Sequence, residues 1–406
     1  MRRDDSARMK KRVAIITERA NIALGGAERS VLELAAALSG VGLDVEILAA
    51  TGQADSRNVR ILCRDERSRR VGFATFEQAL KKHLSENKYD IIHSVLPFAF
   101  ADVYQPRGGT YAESVLRHAA SHPNKLVAAW KRLTAFTNLR RTALLHAERE
   151  MSRGPDGPVI AALSRYVADQ FQRHYGAEPQ RIVVIPNGVK IDRQVNKDQA
   201  DRLRSQILAR AGLKEADNPV LFLFAANNFR LKGLAPLIRA ISAAARHDTP
   251  RKCCLVVVGK DGTYTYRRLA KRLGLWAAGQ RIVFLGSVGH IQSALSIADV
   301  AVLPTFYDPA SRFILEALAA GRPVITTRFN GAADLFVDGR HGKVIDAPDN
   351  IEALAEAVRF FCHTDNIEKA SKAITEDNLK DNISVSRAAK ELMGLYESIW
   401  QKKGRP

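Results

Sequence analysis

Two carboxylates, Asp308 and Glu316, stand eight residues apart within residues 298–335, and the residues around Glu316 predict a helix that is apolar nearly all round. Residues 300–303 have the length and β-branched content of a buried parallel strand, and Asp308 followed by Pro309 is typical of an N-cap before the first helical residue. If the helix begins there, the two carboxylates lie within about 80° of each other and roughly two turns apart. We therefore expect them to contact two parts of one ligand, with the helix N-terminus facing an anion.

Two cations, Arg230 and Lys232, come just before Gly233 at a second turn from strand to helix. Residues 219–226 form the apolar run that precedes them. A pair of cations at such a turn suits a diphosphate, because the charge that grows on a leaving oxygen must be balanced where no metal motif is present. The sequence therefore predicts a site for a phosphorylated ligand.

We predict no metal site. His118 and His122 have i,i+4 spacing, but the Glu of HExxH is absent and Pro123 follows at once. The four cysteines have neither zinc spacing nor a CxxC pair, and reduced core thiols are the expected state.

Two glycine-containing loops add candidate ligand contacts. Residues 12–17 predict a first strand, and Gly25 and Gly26 follow at the turn into a helix, where backbone approaches a ligand closely. The loop at residues 106–110 displays Arg107 on flexible backbone. Each loop also has a simpler interpretation, in which the glycines only permit a tight turn and Arg107 lies on a surface turn.

The pattern of an acid, seven residues and Glu at 308–316, followed by Ala-x-x-x-Gly-x-Pro-Val-Ile, resembles the donor-site motif of the family-4 retaining glycosyltransferases. Further motifs of that family follow in the same order as in the family: Gly-Gly-Ala-Glu-Arg at 25–29, Ile-Pro-Asn-Gly-Val at 185–189 and Lys-Gly at 232–233. The resemblance covers residues 12–400. It implies the GT-B fold, in which two Rossmann-like domains face each other across a cleft.

The resemblance implies roles for individual residues. Glu316 would hold the ribose hydroxyls of a nucleotide sugar, and Asp308 would lie near the sugar itself. Arg230 and Lys232 would stabilise the departing diphosphate. The donor-binding residues implied in this way are Gly25, Gly26, Arg230, Lys232, Val288, Ser311 and Glu316.

Two departures from the family pattern concern the sugar. The family usually has Glu where this chain has Asp308, and the shorter side chain leaves the donor sugar open. Aligned on residues 111–113, the loop is similar to that of the lipopolysaccharide-core α-1,3-glucosyltransferases, and the resemblance implies an Asp where this chain has Gly108. Without that acid, His93, Asp102 and Arg107 are the nearby alternatives. The candidate catalytic residues are therefore Lys232, Arg230, Asp308 and Arg107.

Simpler structural explanations exist for the charged candidates. Asp308 alone is explained by helix capping, and Glu316 by an internal ion pair with Lys or Arg. Arg230 and Lys232 are explained by ordinary surface charge at a loop.

The length and charge of the chain limit the classes of protein to which it can belong. The chain has 406 residues, enough for two to three domains, and a formal net charge of +19. It contains no apolar run long enough to span a membrane, and residues 1–12 are charged without the apolar segment of a secretory signal. We therefore expect a cytoplasmic protein with an anionic partner, for which nucleic acid, an anionic membrane face and a phosphorylated glycolipid all qualify.

One segment is unusually basic. Residues 117–147 contain six Lys or Arg and no acid, with Trp130, Leu133, Phe136 and Leu139 interleaved. An interfacial contact with an anionic membrane, on the inner face of the cytoplasmic membrane, needs this composition. These four apolar residues do not fall on one clean helical face, so a solvated basic helix pair is the alternative.

The order of patterns predicts an α/β protein. Apolar runs alternate with helical patterns and lack hairpin signals, which favours doubly wound parallel sheets. We predict an acceptor-side domain at residues 1–190, a nucleotide-sugar donor domain at 191–380, and a helix at 381–406 that returns to the first domain.

Together the residues and the resemblance imply a metal-independent, retaining hexosyltransferase without a cofactor. The expected donor is UDP-glucose, and the expected acceptor is a lipopolysaccharide-core or other lipid-linked glycan of the cell envelope. A GT-B nucleotide-sugar epimerase is the alternative, although it needs an acid/base pair that the sequence does not show. A nucleic-acid-binding protein is less favoured, because the basic residues form no recognisable module.

Overall fold

The computed structural model describes residues 10–21, 26–52, 58–63, 71–154, 156–191, 195–260, 262–275, 281–289 and 291–404. Gly25, one of the predicted binding residues, lies outside these ranges. Two parallel sheets with flanking helices make up the described part of the chain.

The first sheet has seven described strands in the order β3-β2-β1-β4-β5-β6-β7. Each strand pairs in parallel with its neighbours, as in the register Val13 to Val45 between β1 and β2. The strands are β1 (Arg12–Ala20), β2 (Asp44–Gly52), β3 (Val59–Ile61), β4 (Ile91–Ser94), β5 (Val103–Tyr104), β6 (Val159–Ala162) and β7 (Ile182–Val184).

The second sheet has six described strands in the order β10-β9-β8-β11-β12-β13, again all parallel. Its middle strands are buried along their length, as near-continuous Val, Leu and Phe runs require. The strands are β8 (Val220–Ala225), β9 (Cys253–Val258), β10 (Ile282–Gly286), β11 (Val300–Leu303), β12 (Val324–Thr327) and β13 (Gly342–Ile345).

These strand orders confirm the predicted fold of two doubly wound parallel sheets. In each sheet the order of connection reverses once, between β1 and β4 in the first and between β8 and β11 in the second. Ligands of such sheets bind outside the carboxyl ends of the strands at this switch point. The loops that follow β8 and β11 contain Lys232 and Asp308, so the fold places both residues at one switch point.

Helices cover both sheets. The first group is α1 (Gly26–Gly40), α2 (Phe73–Glu86), α3 (Tyr111–Ala120), α4 (Lys125–Leu133), α5 (Leu139–Arg153) and α6 (Arg165–Tyr175). The second group is α7 (Lys197–Ala211), α8 (Leu234–Ala244), α9 (Thr263–Arg272), α10 (Ile291–Ile297), α11 (Arg312–Ala319), α12 (Ile351–Phe360), α13 (Thr364–Glu376), α14 (Leu379–Asn382) and α15 (Val385–Lys402).

The last helix, α15, packs on the first sheet's side of the molecule. Leu392, Tyr396 and Trp400 lie buried in one cluster with residues of α1 and β1. The chain crosses between the sheets at two adjacent points, where the Val189 N–H donates to Ile383 O at 2.9 Å and the Val385 N–H donates to Val189 O at 3.0 Å. These two hydrogen bonds therefore join the two crossing segments to each other.

Within the described ranges, no helix has the length and apolar content needed to cross a bilayer.

Candidate functional site

A salt bridge joins the two loops at the switch point of the second sheet. The Lys232 ammonium lies 2.7 Å from Asp308 Oδ2 and donates to the Tyr307 carbonyl at 2.9 Å. Both side chains stay partly exposed. The pair therefore presents a fixed cation beside a carboxylate at the position where a doubly wound sheet binds its ligand.

Gly233 explains why the two loops come so close. Its φ is +79°, and a Cβ there would lie 1.9 Å from the Pro304 carbonyl oxygen. Only glycine combines this left-handed conformation with so near an approach of backbone. The turn after β8 is thereby pressed against the end of β11, which brings Lys232 to Asp308.

The predicted helix start at Asp308 was wrong. The helix α11 begins at Arg312, and its N-cap is Ser311. Asp308 instead forms a parallel bridge with Asn330, since its N–H donates to Phe329 O at 2.9 Å and its carbonyl accepts from the Gly331 N–H at 2.8 Å. Asp308 and Glu316 consequently do not share one helix, and the expected angular relation between them does not apply.

Ser311 is the N-cap of α11, and its hydroxyl is used within the helix. Its hydroxyl accepts from the Ile314 N–H at 3.5 Å, and its own N–H donates to Asn330 Oδ1 at 3.2 Å. The remaining first-turn N–H groups of α11 are the ones that a ligand would meet. The binding role of Ser311 stays a prediction.

Glu316 lies one turn into α11 and is paired. Arg312 Nη2 lies 3.3 Å from Glu316 Oε1 and 2.8 Å from Glu33 Oε2. Glu33 belongs to α1, which flanks the first sheet. A Cβ on Gly26, the first residue of α1, would lie 3.3 Å from Arg312 Cδ. The structure thus brings the predicted residues Gly26 and Glu316 to the same arginine, across the boundary between the two halves.

Arg230 points away from the Lys232–Asp308 pair. Its Nη1 donates to Ser121 Oγ at 2.9 Å and to the His118 carbonyl at 3.4 Å, at the end of α3. The structure therefore does not join Arg230 and Lys232 into one two-cation clamp. Arg230 sits instead on the wall of a separate interdomain cavity.

Arg107 is held inside the first half of the molecule, and the surface-turn interpretation does not hold. Its Nη1 donates to Asn187 Oδ1 at 3.0 Å and to Ser30 Oγ at 3.1 Å. Burial, and after it the charge of Arg312, lowers the pKa of Arg107 to about 10, so it remains a cation at neutral pH. Its catalytic role stays a prediction.

The loop that carries Arg107 is docked onto the Asp308 loop. The Tyr307 hydroxyl donates to the Gly108 carbonyl at 2.9 Å. Gly109 has φ +65°, and a Cβ there would lie 2.0 Å from that hydroxyl oxygen. Gly109 therefore permits the contact between the halves, and Gly108 contributes its carbonyl to it.

Val288 follows β10 and is half-buried against the core of the second sheet. Its side chain contributes to packing, and a role in reading a nucleobase stays a prediction for its backbone. Among the described residues, no group of three His, Cys, Asp or Glu side chains is placed to hold a metal ion.

Sequence reasoning missed Arg312, Glu33 and Tyr307. Arg312 stands four residues before Glu316, a spacing that predicts an ion pair on one helix face. Its second partner, Glu33, is 279 residues away in the chain, and no local signal indicates it. Tyr307 lies in the loop before Asp308, and its hydroxyl is the contact that joins the two halves there.

Two family models match the chain. A model described as Glycosyltransferase Family 4 matches residues 24–193, and one described as Glycosyl transferases group 1 matches residues 218–363. The two matches fall on the first and the second sheet, respectively.

Curated proteins resemble the chain over most of its length. Lipopolysaccharide glucosyltransferase WaaG of Escherichia coli is 26% identical over 344 residues, which cover 82% of this chain and 85% of WaaG. D-inositol 3-phosphate glycosyltransferase of Streptomyces avermitilis is 27% identical over 362 residues, which cover 83% of this chain and 75% of that protein.

Solved structures share the architecture. The crystal structure of WaaG matches with a TM-score of 0.64 at 24% identity, covering 93% of this chain and 94% of WaaG. Anabaena HepE in complex with UDP-glucose matches with a TM-score of 0.67 at 19% identity, covering 95% of this chain and 99% of HepE. At these identities the likeness is one of fold.

Proposed function

This chain belongs to the glycosyltransferases of GT-B fold, and we propose that it is a retaining, metal-independent hexosyltransferase. It transfers glucose from UDP-glucose to a lipopolysaccharide-core or other cell-envelope glycan. Residues 191–380 bind the donor, residues 1–190 bind the acceptor, and residues 381–406 return to the acceptor side.

The observation that carries the proposal is the Lys232–Asp308 pair. Lys232 is held 2.7 Å from Asp308 at the switch point of the second sheet, beside the N-terminus of α11. A nucleotide diphosphate placed there meets the ammonium of Lys232 and the free N–H groups of the helix start. Asp308 then faces the sugar that is joined to this diphosphate.

In the reaction, the acceptor hydroxyl oxygen forms a bond to C1 of the sugar on the face from which UDP departs. The bond between C1 and the diphosphate oxygen breaks, its electron pair leaves with UDP, and the hydroxyl proton passes to the departing phosphate. Lys232 and the α11 N-terminus stabilise the charge that develops on UDP. Glu316 accepts hydrogen bonds from the ribose hydroxyls and fixes the nucleotide in place.

The comparisons support the choice of substrates. One relative is named as a lipopolysaccharide glucosyltransferase, and one solved neighbour contains UDP-glucose. Another relative is named for D-inositol 3-phosphate, so the family as a whole does not determine the acceptor.

A panel of nucleotide sugars tests the donor. We expect UDP-glucose to raise the melting temperature more than GDP- or ADP-sugars at equal concentration, because a ligand stabilises the state that binds it. Incubation with UDP-glucose and a glycan acceptor should release UDP and leave the anomeric configuration unchanged by nuclear magnetic resonance. Conversion of the UDP-sugar to its epimer without an acceptor would favour the epimerase alternative.

We also propose that α4 places the protein on an anionic membrane surface. Leu126, Trp130 and Leu133 have i, i+4, i+7 spacing and are 81%, 57% and 76% exposed, so they form one apolar face. The sequence interpretation missed this face because it did not include Leu126. Exposed cations stand on α4 and at the start of α5, and an apolar stripe accompanied by cations suits the boundary between headgroups and acyl chains. These cations are Lys125, Lys131, Arg132 and Arg141.

Two of the six basic residues of this segment are already paired. Arg117 Nε lies 2.6 Å from Glu113 Oε1, and Arg140 Nη2 lies 2.6 Å from Glu18 Oε2. The membrane contact proposed for the segment therefore rests on the other four cations.

A further inference from the structure

A cavity of 1060 Å³ lies between the two halves of the molecule, beside Arg230. The end of α3 and the start of α4 form one wall, and α8, α9 and the start of α12 form the opposite wall. The proposed transfer reaction does not use this space, since Lys232 and Asp308 do not line it.

The cavity is positively charged. Lys125, Arg230 and Arg239 line it, and Asp349 is the one carboxylate among its described lining residues. Neither Lys125 nor Arg239 forms an ion pair with a described residue, and both are exposed. The cavity thus combines three cations with little opposing charge.

Two histidines report the same positive field. Burial and then the charges of Arg230, Arg141 and Lys232 lower the pKa of His118 to about 4. Burial and then the charges of Arg230 and Lys131 lower the pKa of His122, which lines the cavity. Both imidazoles are therefore neutral at physiological pH, because burial first and the neighbouring cations second disfavour their protonated form.

The cavity connects the proposed donor site with the proposed membrane face. Arg230 and Phe306 line it, and each stands two positions along the chain from a member of the Lys232–Asp308 pair. Lys125 and Ala128 of α4 also line the cavity. The apolar face of the same helix, which contains Trp130, is turned to solvent.

We infer that this cavity binds an anionic segment of the acceptor, a glycan that carries phosphate or carboxylate groups. Arg230 is fixed on the wall by Ser121, so its guanidinium meets the ligand without losing side-chain freedom on binding. Lys125 and Arg239 add charge-assisted hydrogen bonds from two other elements. This inference rests on the proposed function, because it takes the neighbouring site as the donor site.

Calorimetry with a deacylated lipopolysaccharide-core oligosaccharide tests the inference. The oligosaccharide is used with its phosphates and after their removal with hydrofluoric acid. The cavity variant is Lys125→Gln with Arg239→Gln, and the matched control is Lys197→Gln with Arg202→Gln, two exposed cations of α7 outside the cavity. UDP binding is measured for each protein.

We expect the cavity variant to bind the phosphorylated oligosaccharide about tenfold more weakly, while the control and all UDP affinities stay within about twofold of wild type. If removal of phosphate alone weakens binding to wild type, phosphate is the recognised group. If the dephosphorylated oligosaccharide still binds and the cavity variant weakens that binding, carboxylate is the recognised group.

The inference is overturned if wild type does not bind the oligosaccharide, or if the cavity variant binds it as well as wild type does. An equal loss in the control would show a general effect of net charge. A parallel loss of UDP affinity would assign the cavity to the nucleotide instead. Failure of UDP-glucose to bind wild type would overturn the proposed function. Oligosaccharide binding is measured separately, so the two failures can be told apart.

Discussion

Lys232 is the residue on which the proposed chemistry depends most. It is held in place by Asp308 and the Tyr307 carbonyl before any ligand arrives. Because its charge matters most when UDP departs, we expect Lys232→Ala to lower kcat by about 100-fold or more. The measurement is initial rate at saturating donor.

The control for this variant is Lys197→Ala, which removes an exposed cation from α7. It should keep the wild-type kcat. Full turnover by Lys232→Ala at saturating donor would remove Lys232 from the mechanism.

Glu316 should act on donor binding and less on turnover. Arg312 keeps its contact with Glu33 at 2.8 Å when Glu316 is truncated, so we expect the fold to survive. Glu316→Ala should weaken UDP-glucose binding by about 1.5–3 kcal/mol, the usual contribution of hydrogen bonds to a charged group. Unchanged affinity by calorimetry, together with a native circular dichroism spectrum, would contradict the ribose assignment.

Glu148 is a buried carboxylate that forms no ion pair with Lys or Arg among the described residues. Its oxygens accept from the Tyr104 hydroxyl at 2.7 Å, the Tyr111 N–H at 2.7 Å and the Tyr175 hydroxyl at 2.5 Å. Burial outweighs these hydrogen bonds and raises the pKa of Glu148 to about 7 from an ordinary value of 4.5. The folded state therefore binds this proton more tightly than the unfolded state does.

The sign of the pH dependence follows from that difference. The stabilisation from the Glu148 proton is fully present below pH 4.5 and is lost as pH rises through about 7. As pH falls from 8 to 5, we expect the free energy of unfolding of wild type to rise by up to roughly 3 kcal/mol more than that of Glu148→Gln. Glu150→Gln, an exposed substitution on the same helix, should show no such difference in denaturant unfolding.

At the scale of elements, α4 is unusual because none of its residues is buried. A short helix gains little stability from its own hydrogen bonds, and an exposed face of Leu and Trp is typical of a surface that binds a partner. Since the exposed cations are screened beyond about 8 Å at physiological ionic strength, binding to anionic vesicles should fall steeply with salt.

Vesicle co-sedimentation tests the role of α4. The variant changes Lys131, Arg132 and Arg141 to Gln and leaves Lys125, which lines the cavity, unchanged. We expect it to lose most of its binding to anionic vesicles, because each cation near such a surface contributes up to about 1 kcal/mol of binding free energy. The control changes Lys197, Arg202 and Lys369 to Gln and should bind as wild type does; equal binding by both variants would leave α4 as a solvated helix.

At the scale of the whole molecule, an ion pair joins α11 of the second half to α1 of the first half. Arg312 and Glu33 are 11% and 14% exposed, so water screens their interaction only in part. We expect the bridge to contribute about 1.5–3 kcal/mol to the observed arrangement of the two halves. Glu33→Ala should therefore populate more open arrangements, with a larger radius of gyration in small-angle X-ray scattering.

Glu28 provides a matched control for Glu33. It lies on the same helix, is 13% exposed, and bonds Arg19 at 2.7 Å within the first half of the molecule. Glu28→Ala removes a similar ion pair without touching the second half, so its radius of gyration should equal that of wild type. If both variants scatter alike, the bridge does not hold the halves together.

The sequence by itself determined the two doubly wound sheets and their order. Apolar runs such as residues 220–225 and 300–303 alternate with helical patterns, and a parallel sheet buried on both faces requires such runs. The same pattern placed Lys232 and Asp308 in the turns that follow two apolar strands. These are local properties of the chain, so they are readable without a structure.

Only the tertiary structure decided where the side chains go. Asp308 looks like a helix cap, but pairing with Asn330 moves the cap to Ser311. Arg230 turns to Ser121, 109 residues away, so Lys232 alone pairs with Asp308. Arg312 meets Glu33 because α1 and α11 face each other. These partners are distant in sequence, and each side chain takes the hydrogen bond that the folded backbone puts within reach, which local residue pattern does not specify.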